Sequence, residues 1–474
     1  MTDMLFRPAH ELVSDMAEGK LSAVELMSAS LDRIEAMNPD LTAVVAQRDC
    51  DDLLAEAAAA DQVPVEKRGA LHGIPMAVKD LTNVRGLPTS MGSLAVPLTP
   101  APQDALLVSR MRAEGAIFTG KTNVPEMGLG SHSYNDVYGT TLNPYDRTVS
   151  AGGSSGGAGV ALATGMQTIA DGSDMMGSLR NPAAWNNVYG FRPSFGVVPR
   201  EPKGDVFLHK LSTPGPMARN VRDIALLFSV QAGGVPGIPH TLPKPDLSNF
   251  AASDLRGKKI GWLADWGGAL AFETGILDLA ETALKQLESA GAEVTLLPAP
   301  FSRDALWDSW VGLRGFANAA DDGHLLDDPK SAELIKPAVR YEIEVGRSLS
   351  AMDVQRLSEI RSDWFRKTYE LFDQFDALIL PTTQVFPFAQ NIDYPTEING
   401  VAMDTYHRWM EVMVPVSLIG LPSLSIPIGF GKNGLPMGMQ IIGRFGEDRN
   451  VLELGQAWHE MTDWPNAQPP KVHE

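Results

Sequence analysis

The chain has 474 residues and a formal net charge of −19, and 44% of its residues are hydrophobic. The excess of carboxylates argues against a nucleic-acid partner, because phosphate backbones bind basic surfaces. A single cysteine, Cys50, excludes an intrachain disulfide and any multi-cysteine metal site, and the large apolar fraction supports a core that needs no cofactor to be stable.

The first part of the chain predicts helices. Its opening residues, MTDMLFRPAHELVSDM, show no basic region followed by an apolar run, so we expect a cytoplasmic location. Ser22 and Glu25 form a capping box that starts a helix, and Asn38-Pro39 is expected to end it. Residues 50–61, with a run of alanines, predict a second helix.

Strands and helices alternate in the rest of the chain. Residues 73–79 predict a short strand that carries Lys79 near its end, and strands are also predicted at 258–263 and 293–297. Helices are predicted at 158–164 and 276–291. This alternation indicates an α/β architecture, which we interpret as one large domain.

One uncharged stretch, Val412 to Gly431, is long enough to suggest a membrane span. However, Pro415, Pro422 and Pro427 would interrupt a helix. We therefore predict two buried elements joined by a turn, and no association with a membrane.

The loop Gly152-Gly153-Ser154-Ser155-Gly156-Gly157 is the most unusual local feature. Taken alone it could be a flexible linker, a catalytic loop or a phosphate-binding loop before a helix. It lacks the lysine of a P-loop and the G-x-G-x-x-G of a dinucleotide site. Further along, Ser178 lies in a tight turn directly after Gly177, and Lys79 lies in an apolar strand where an unpaired lysine would be costly.

Taken together, these segments resemble the amidase signature family, and the resemblance covers nearly the whole chain. The matching segments are Gly73-Ile74-Pro75 to Lys79-Asp80, Gly120-Lys121-Thr122-Asn123, Asn143-Pro144-Tyr145, the Gly152–Gly157 loop, Asp174 to Arg180 followed by Pro182-Ala183, Gly215-Pro216-Met217-Ala218-Arg219, Gly420-Leu421-Pro422, and Gly434 to Gln440. Each segment alone is a weak signal, but their order along the chain is highly specific.

The resemblance implies a catalytic triad. It makes Ser178 the nucleophile, Ser154 the relay held after a cis peptide bond from Gly153, and Lys79 the base. A serine attacks only when a base takes its proton, and a lysine can do so only when burial lowers its pKa far enough to leave it neutral. The backbone N–H groups of Met175, Met176, Gly177 and Ser178 would form the oxyanion hole.

The implied fold is a single large α/β domain with a mixed β-sheet covered on both faces by helices. Within this domain, 1–474, we expect an N-terminal helical segment at 1–65 and the signature core at 66–220. The rest, 221–474, would supply the remaining sheet and helix layers and elements of the substrate pocket.

This chain departs from the family at the nucleophile turn. The family usually has two glycines before the nucleophile, whereas here they are Met176-Gly177. Met175 and Met176 would either favour apolar substrate groups or pack into the core. Further pocket residues expected by analogy are Met127, Trp409 and Ile419.

Three further residues are expected to support the site. Ser155 would donate a hydrogen bond, and Asp174 and Arg180 would either brace their own turn or orient a substrate. His72 is expected to be structural, and none of the nine histidines has a metal-ligand spacing such as H-E-x-x-H. We therefore expect no cofactor, no metal and no catalytic histidine.

The leading functional hypothesis is hydrolysis of small to medium apolar, aryl or alkyl amides through an acyl-enzyme on Ser178, with esters, carbamates or amide oligomers as further substrates. One alternative is the amidase subunit of a tRNA-dependent amidotransferase. Another is a non-catalytic binding protein of the same fold, which should lack a member of the triad. The expected partner is a small amide, with a homodimer as one assembly and no nucleic acid or membrane.

Overall fold

The structure, a computed structural model, describes residues 3–201 and 204–471. The helices in these residues are α1 (Ala9–Ala17), α2 (Ala23–Leu41), α3 (Cys50–Asp61), α4 (Leu106–Ala113), α5 (Gly156–Ala163), α6 (Arg180–Trp185), α7 (Val221–Gln231), α8 (Ile276–Ser289), α9 (Arg303–Asp322), α10 (His324–Asp327), α11 (Pro329–Leu334), α12 (Pro337–Ser348), α13 (Ala351–Phe372), α14 (Val414–Ser417), α15 (Asp448–Thr462) and α16 (Trp464–Ala467). Short 3₁₀ helices occur at Met4–Phe6, Val65–Lys67, Glu126–Gly128 and Arg408–Met413.

The strands form one large and one small principal sheet. They are β1 (Val44–Val45), β2 (Pro75–Lys79), β3 (Ile117–Thr122), β4 (Tyr134–Asn135), β5 (Gly139–Thr140), β6 (Ile169–Asp174), β7 (Tyr189–Arg192), β8 (Thr213–Ala218), β9 (Lys259–Trp262), β10 (Glu293–Leu296), β11 (Ala377–Pro381), β12 (Glu397–Ile398), β13 (Val401–Ala402), β14 (Ser423–Phe430) and β15 (Pro436–Ile442). The large sheet has the order β10-β9-β11-β15-β14-β7-β8-β6, and the small sheet has the order β1-β3-β2.

The large sheet is mixed, as expected. Strand β9 pairs in parallel with both β10 and β11, whereas the pairs from β11 to β6 are antiparallel. Helices cover both faces of its centre: a Cβ at Gly438 would contact Ala184 of α6, and a Cβ at Gly455 of α15 would contact Leu424. Gly438 pairs with Pro427, three residues after Leu424, so the two contacts lie on opposite faces.

The first long helix extends further than the sequence indicates. The capping box of Ser22 and Glu25 is present, but α2 passes through Pro39 and ends at Leu41, so the predicted stop at Asn38-Pro39 is wrong. Proline at this position removes one backbone hydrogen bond, and the carbonyl that loses its donor belongs to Glu35, an exposed residue whose carbonyl can bond to water instead. Thr42 adopts a left-handed conformation and ends the helix, and the side chain of Asn38 accepts the N–H groups of the next two residues.

The uncharged stretch from 412 to 431 contains the short helix α14 and strand β14, joined at a turn. Every residue of this stretch up to Ile428 is buried. Among the residues that the structure describes, no helix is both long and apolar enough to cross a bilayer.

Candidate active site

The side chain of Lys79 lies between the two sheets. All five residues of β2 are buried, because β3 pairs with this strand on one side and β6 packs close to it. Lys79 is 1% exposed, and its Nζ lies 2.9 Å from Ser154 Oγ and 2.8 Å from Ser155 Oγ. The carbonyl and hydroxyl of Ser173 complete this set, each at 3.2 Å from Nζ.

Burial lowers the pKa of Lys79 to about 7, although the charges of Asp171 and Asp174 oppose the shift. A large part of this lysine is therefore neutral near pH 7, which is the state that a base requires. Asp171 accepts the backbone N–H of Lys79 at 3.1 Å, and burial raises the pKa of this carboxyl to about 6.

The glycine-serine loop packs as a fixed element. All residues from Gly152 to Gly157 are buried, and the Gly153–Ser154 peptide bond is cis. A Cβ at Gly156 would clash with the side chain of Ser133, and a Cβ at Gly157 would clash with the backbone of Ala43 and Asn123. A larger residue would force Ser133 to move at the first position and the backbone to move at the second, which explains the glycines and makes a flexible linker a poor description.

Ser178 lies in the turn between β6 and α6 and is 8% exposed. Gly177, directly before it, has φ +85°, a conformation that glycine adopts without strain. The carbonyl of Ser178 accepts the N–H of Ser155 at 3.2 Å, so the two serine loops are joined through their backbones. No direct hydrogen bond joins Ser178 Oγ to Ser154 Oγ in the described residues; the structure shows the Lys79–Ser154 link of the expected relay and not the second link.

A buried ion cluster holds the turn that carries Ser178. Arg180 contacts both oxygens of Asp174 at 3.0 Å, and its remaining Nη donors reach Gln440 at 2.6 Å and Ser417 at 2.7 Å. Arg192 adds a contact to Asp174 at 3.2 Å. Burial opposes ionisation of Asp174, but the two guanidinium groups hold the pKa of this carboxyl well below its usual range.

All three nitrogens of the Arg180 guanidinium group thus have acceptors inside the protein. This geometry favours bracing of the turn over contact with a substrate.

The four expected oxyanion donors differ in their surroundings. The N–H of Gly177 donates to Asp174 Oδ1 at 2.8 Å and is occupied. Within residues 3–201 and 204–471, the N–H groups of Met175, Met176 and Ser178 have no acceptor. These three donors are therefore the ones available to a developing oxyanion.

The five residues expected to line the pocket fall into two groups. Met176 is 3% exposed and belongs to the core, and Trp409 is 1% exposed and stacks on Trp185 with the ring centroids 5.7 Å apart. Met127 and Met175 are half-buried, and Ile419 lines a cavity of about 560 Å³. Only the second group has accessible surface that a ligand can contact.

Several residues of the site were not identified from the sequence. Ser173 and Asp171 contact Lys79, and Arg192 completes the ion cluster around Asp174. Ser173 and Asp171 stand in the same Asp-Gly-Ser-Asp segment, two residues apart, so the alternation of a strand could have placed both toward Lys79. Arg192 gives no such signal, because its partner comes from a strand two positions away in the sheet.

His72 is buried away from these contacts. Burial lowers its pKa, which favours the neutral ring. The structural role expected of His72 stays a prediction.

Comparison with known proteins identifies the class of this fold and site. A family model described as "Amidase" matches residues 25–452. An acylamidase from Rhodococcus erythropolis is 32% identical over 97% of this chain and 96% of that protein. A glutamyl-tRNA(Gln) amidotransferase subunit from Cyanothece sp. is also 32% identical, over 97% of this chain and 98% of that protein.

Among solved structures, a bacterial aryl acylamidase of the amidase signature family superposes with a TM-score of 0.90 at 29% identity, covering 98% of this chain and 99% of that one. The chain belongs to the amidase signature family. The family model and the acylamidase relatives point to cleavage of amide bonds, and the protein is an amide-cleaving hydrolase.

Proposed function

We propose that this protein hydrolyses small to medium carboxamides with apolar, aryl or alkyl groups through an acyl-enzyme on Ser178. The observation that carries the proposal is the hydrogen bond between Lys79 and Ser154 at 2.9 Å, together with the lowered pKa of Lys79. The acylamidase relatives support the choice of substrate class.

The hydrogen bonds of Lys79 are compatible with transfer of a proton from Ser154. The carbonyl of Ser173 can only accept a hydrogen bond, so it takes one N–H of a neutral amine, and Ser155 Oγ, at 2.8 Å from Nζ, can take the other. In this arrangement the lone pair faces Ser154 and can take its proton. Ser154 in turn takes the proton of Ser178 as that oxygen attacks the substrate carbonyl.

Closing this relay requires Ser178 Oγ to approach Ser154. Catalytic hydrogen bonds are often long without substrate and shorten when it binds. The Asp174 cluster holds the backbone of this turn, so the proposed approach is a movement of the Ser178 side chain. The tetrahedral oxyanion would bind the N–H groups of Met175, Met176 and Ser178.

The remaining steps reverse the relay. Protonated Lys79 returns its proton through Ser154 to the departing amine, and the C–N bond breaks to leave an ester on Ser178. A water molecule then attacks that ester while its proton passes through Ser154 to Lys79. The bond between Ser178 Oγ and the acyl carbon breaks, the same proton returns through Ser154 to Ser178 Oγ, and the acid is released with Lys79 neutral again. The triad and the backbone donors supply every group that these steps need.

The proposal also covers partners and location. We propose that the chain acts on its own or as a homodimer, without nucleic acid or a membrane, because a net charge of −19 opposes both phosphate backbones and anionic lipid surfaces. The cytoplasmic location stays a prediction.

The second candidate is the amidase subunit of a tRNA-dependent amidotransferase. It is favoured by amidotransferase relatives at 32% identity. The two candidates differ in behaviour: the subunit should release ammonia from glutamine and depend on other proteins of its complex, whereas a stand-alone amidase should cleave an acyl anilide as a purified chain.

The test is an assay of the purified chain on 4-nitroacetanilide, longer acyl anilides and glutamine, with Ser178→Ala as the control. We expect anilide cleavage by the wild type, at least about 10³-fold slower in the variant, and little ammonia from glutamine. Release of ammonia from glutamine with no cleavage of the anilides would favour the amidotransferase subunit. Undiminished anilide cleavage by Ser178→Ala would remove Ser178 from the mechanism.

A further inference from the structure

A cavity whose lining does not include Lys79, Ser154 or Ser178 contains two cations whose side chains have no hydrogen-bond or salt-bridge partner among the described residues. The Lys210–Arg361 cavity, as we call it, has a volume of about 560 Å³. Its walls combine basic side chains with apolar ones, and they include Lys210, Arg361, Arg366, Phe195, Phe365, Phe445 and Ile419.

The charge of this lining is opposite to that of the chain. The sequence has 58 Asp and Glu against 39 Lys and Arg. The described lining residues nevertheless include Lys210, Arg361 and Arg366 and no carboxylate. In a protein with an excess of acids, three basic side chains on one cavity form a local positive field that attracts anions.

Only one of these three cations has a partner among the described residues. Arg366 pairs with Asp363, but in the part of the chain that the structure describes the side chains of Lys210 and Arg361 make no hydrogen bond and no salt bridge. Both are half-buried, and burial lowers the pKa of Arg361. Burial and repulsion by Arg361 lower the pKa of Lys210, so the two cations are close enough to disfavour each other.

The acid that acts on Lys210 forms no salt bridge with it. Asp205 raises the pKa of Lys210 through its charge, but its Oδ2 is held in its own turn by the N–H groups of Phe207, Leu208 and His209. A half-buried pair of cations with no salt bridge is unfavourable, and a bound anion would relieve it.

The other walls of the cavity suit an apolar body. Phe365 and Phe445 meet edge to face with centroids 5.9 Å apart, and Ile419 and Phe195 belong to neighbouring loops joined by the hydrogen bond from Phe195 N–H to the carbonyl of Gly420. Cavities of this size with apolar walls and a few polar groups are typical of small-molecule sites.

We propose that the Lys210–Arg361 cavity binds a small carboxylate with an aryl or alkyl body, its anionic group placed between the two cations and its body against the phenylalanines. Arginine suits this role because its guanidinium group can hold both oxygens of a carboxylate. This proposal concerns binding, and it stands whether or not the proposed amide substrates are correct.

The cavity is also connected to the nucleophile turn. Leu211, next to Lys210, accepts a hydrogen bond from Arg192 at 2.8 Å, and Ser417, next to a cavity-lining leucine, accepts one from Arg180 at 2.7 Å. Both arginines hold Asp174. The carboxylate could therefore be the far end of an amide substrate or a separate ligand, such as the acid product.

Calorimetric titration with 4-phenylbutyrate tests the proposal, and 4-phenylbutanol serves as the neutral analogue. We expect the carboxylate to bind more tightly than the alcohol, and Arg361→Gln and Lys210→Met each to weaken carboxylate binding by about tenfold, the usual scale of a charge-assisted hydrogen bond. Binding of the alcohol should be unchanged. The matched control is Arg356→Gln, an exposed arginine on the same helix, α13, that does not line the cavity.

Equal binding of acid and alcohol, or carboxylate binding that both cavity variants leave unchanged, would overturn the proposal. A second experiment, inhibition of anilide cleavage, distinguishes the two possible sources of the ligand. Competitive inhibition of anilide cleavage by 4-phenylbutyrate, lost in Arg361→Gln, would assign the cavity to the substrate or product, and binding without competition would assign it to a separate ligand. Because calorimetry needs no turnover, an inactive wild type would reject the proposed function and leave this test intact.

Discussion

The amine of Lys79 and the hydroxyl of Ser154 lie 2.9 Å apart in a buried space between the two sheets. At this distance, the protonation state of Lys79 decides whether it can accept the proton of Ser154. A neutral amine can accept the serine proton, and an ammonium group cannot.

The first prediction follows from the pKa of Lys79, which burial lowers to about 7. The value of kcat/KM for anilide cleavage should rise with pH, with an inflection near 7, because the base is active after losing its proton. Asp171→Asn removes a negative charge that raises this pKa, so the inflection should move to lower pH. A profile measured from pH 5 to 9 checks this, and an inflection that moves upward would contradict the assignment of the base.

The second prediction concerns stability. In the unfolded chain the pKa of a lysine is about 10.4, so between pH 7 and that value the unfolded state binds a proton that the folded state does not. Lys79 therefore lowers the free energy of unfolding. This destabilisation has its full size below pH 7, decreases as the pH rises, and is absent above about pH 10. Lys79→Met should abolish amide turnover and increase the free energy of unfolding, more at pH 7 than at pH 10. Denaturant titrations of wild type and variant at both pH values measure this difference. If Lys79→Met does not raise the free energy of unfolding more at pH 7 than at pH 10, the argument is refuted.

The third prediction concerns the buried ion cluster. Arg180→Gln leaves Asp174 with one guanidinium partner in a dry interior, and loss of one partner of a buried pair costs about 3–5 kcal/mol. The matched control is Arg347→Gln, since Arg347 pairs with Asp327 at the surface, where the expected cost is at most about 1 kcal/mol. Urea unfolding of both variants provides the comparison. Similar losses would show that the cluster does not brace the turn.

The fourth prediction concerns the turn before the nucleophile. A Cβ at Gly177 would lie 2.7 Å from Met413 Cγ, and the residue has φ +85°. Gly177→Ala should therefore reduce amide turnover strongly. Gly434→Ala is the control, because Gly434 also has a positive φ, +75°, but has open space around it. It should cost only the backbone strain, on the order of 1 kcal/mol, and leave turnover unchanged. Equal turnover in the two variants would show that the contact with Met413 is unimportant.

The sequence was sufficient to predict the local elements that carry the chemistry. The strand of Lys79 follows from its apolar run, and the glycines around Ser154 and Ser178 indicate turns too tight for other residues. The family resemblance supplied the roles of these side chains, and their assignment stays a prediction. The mixed sheet and the single domain are confirmed.

Longer-range features could not be predicted in the same way. The position of β11 between β9 and β15 depends on pairing between segments that lie far apart in the chain. The occupied N–H of Gly177 and the partners of Arg180 follow from three-dimensional packing, which no local pattern encodes. The predicted helix end at Asn38-Pro39 was wrong because the general rule that proline ends a helix was applied at a position where the helix continues to Leu41.

The location of Lys79 has a consequence for the architecture as a whole. This residue belongs to the small sheet, whereas Ser178 follows the edge strand β6 of the large one. A fragment carrying either sheet alone would hold an incomplete set of the proposed reacting groups. If the proposed triad is correct, neither half can be exchanged or redesigned as an independent module, because the interface between the sheets brings its members together.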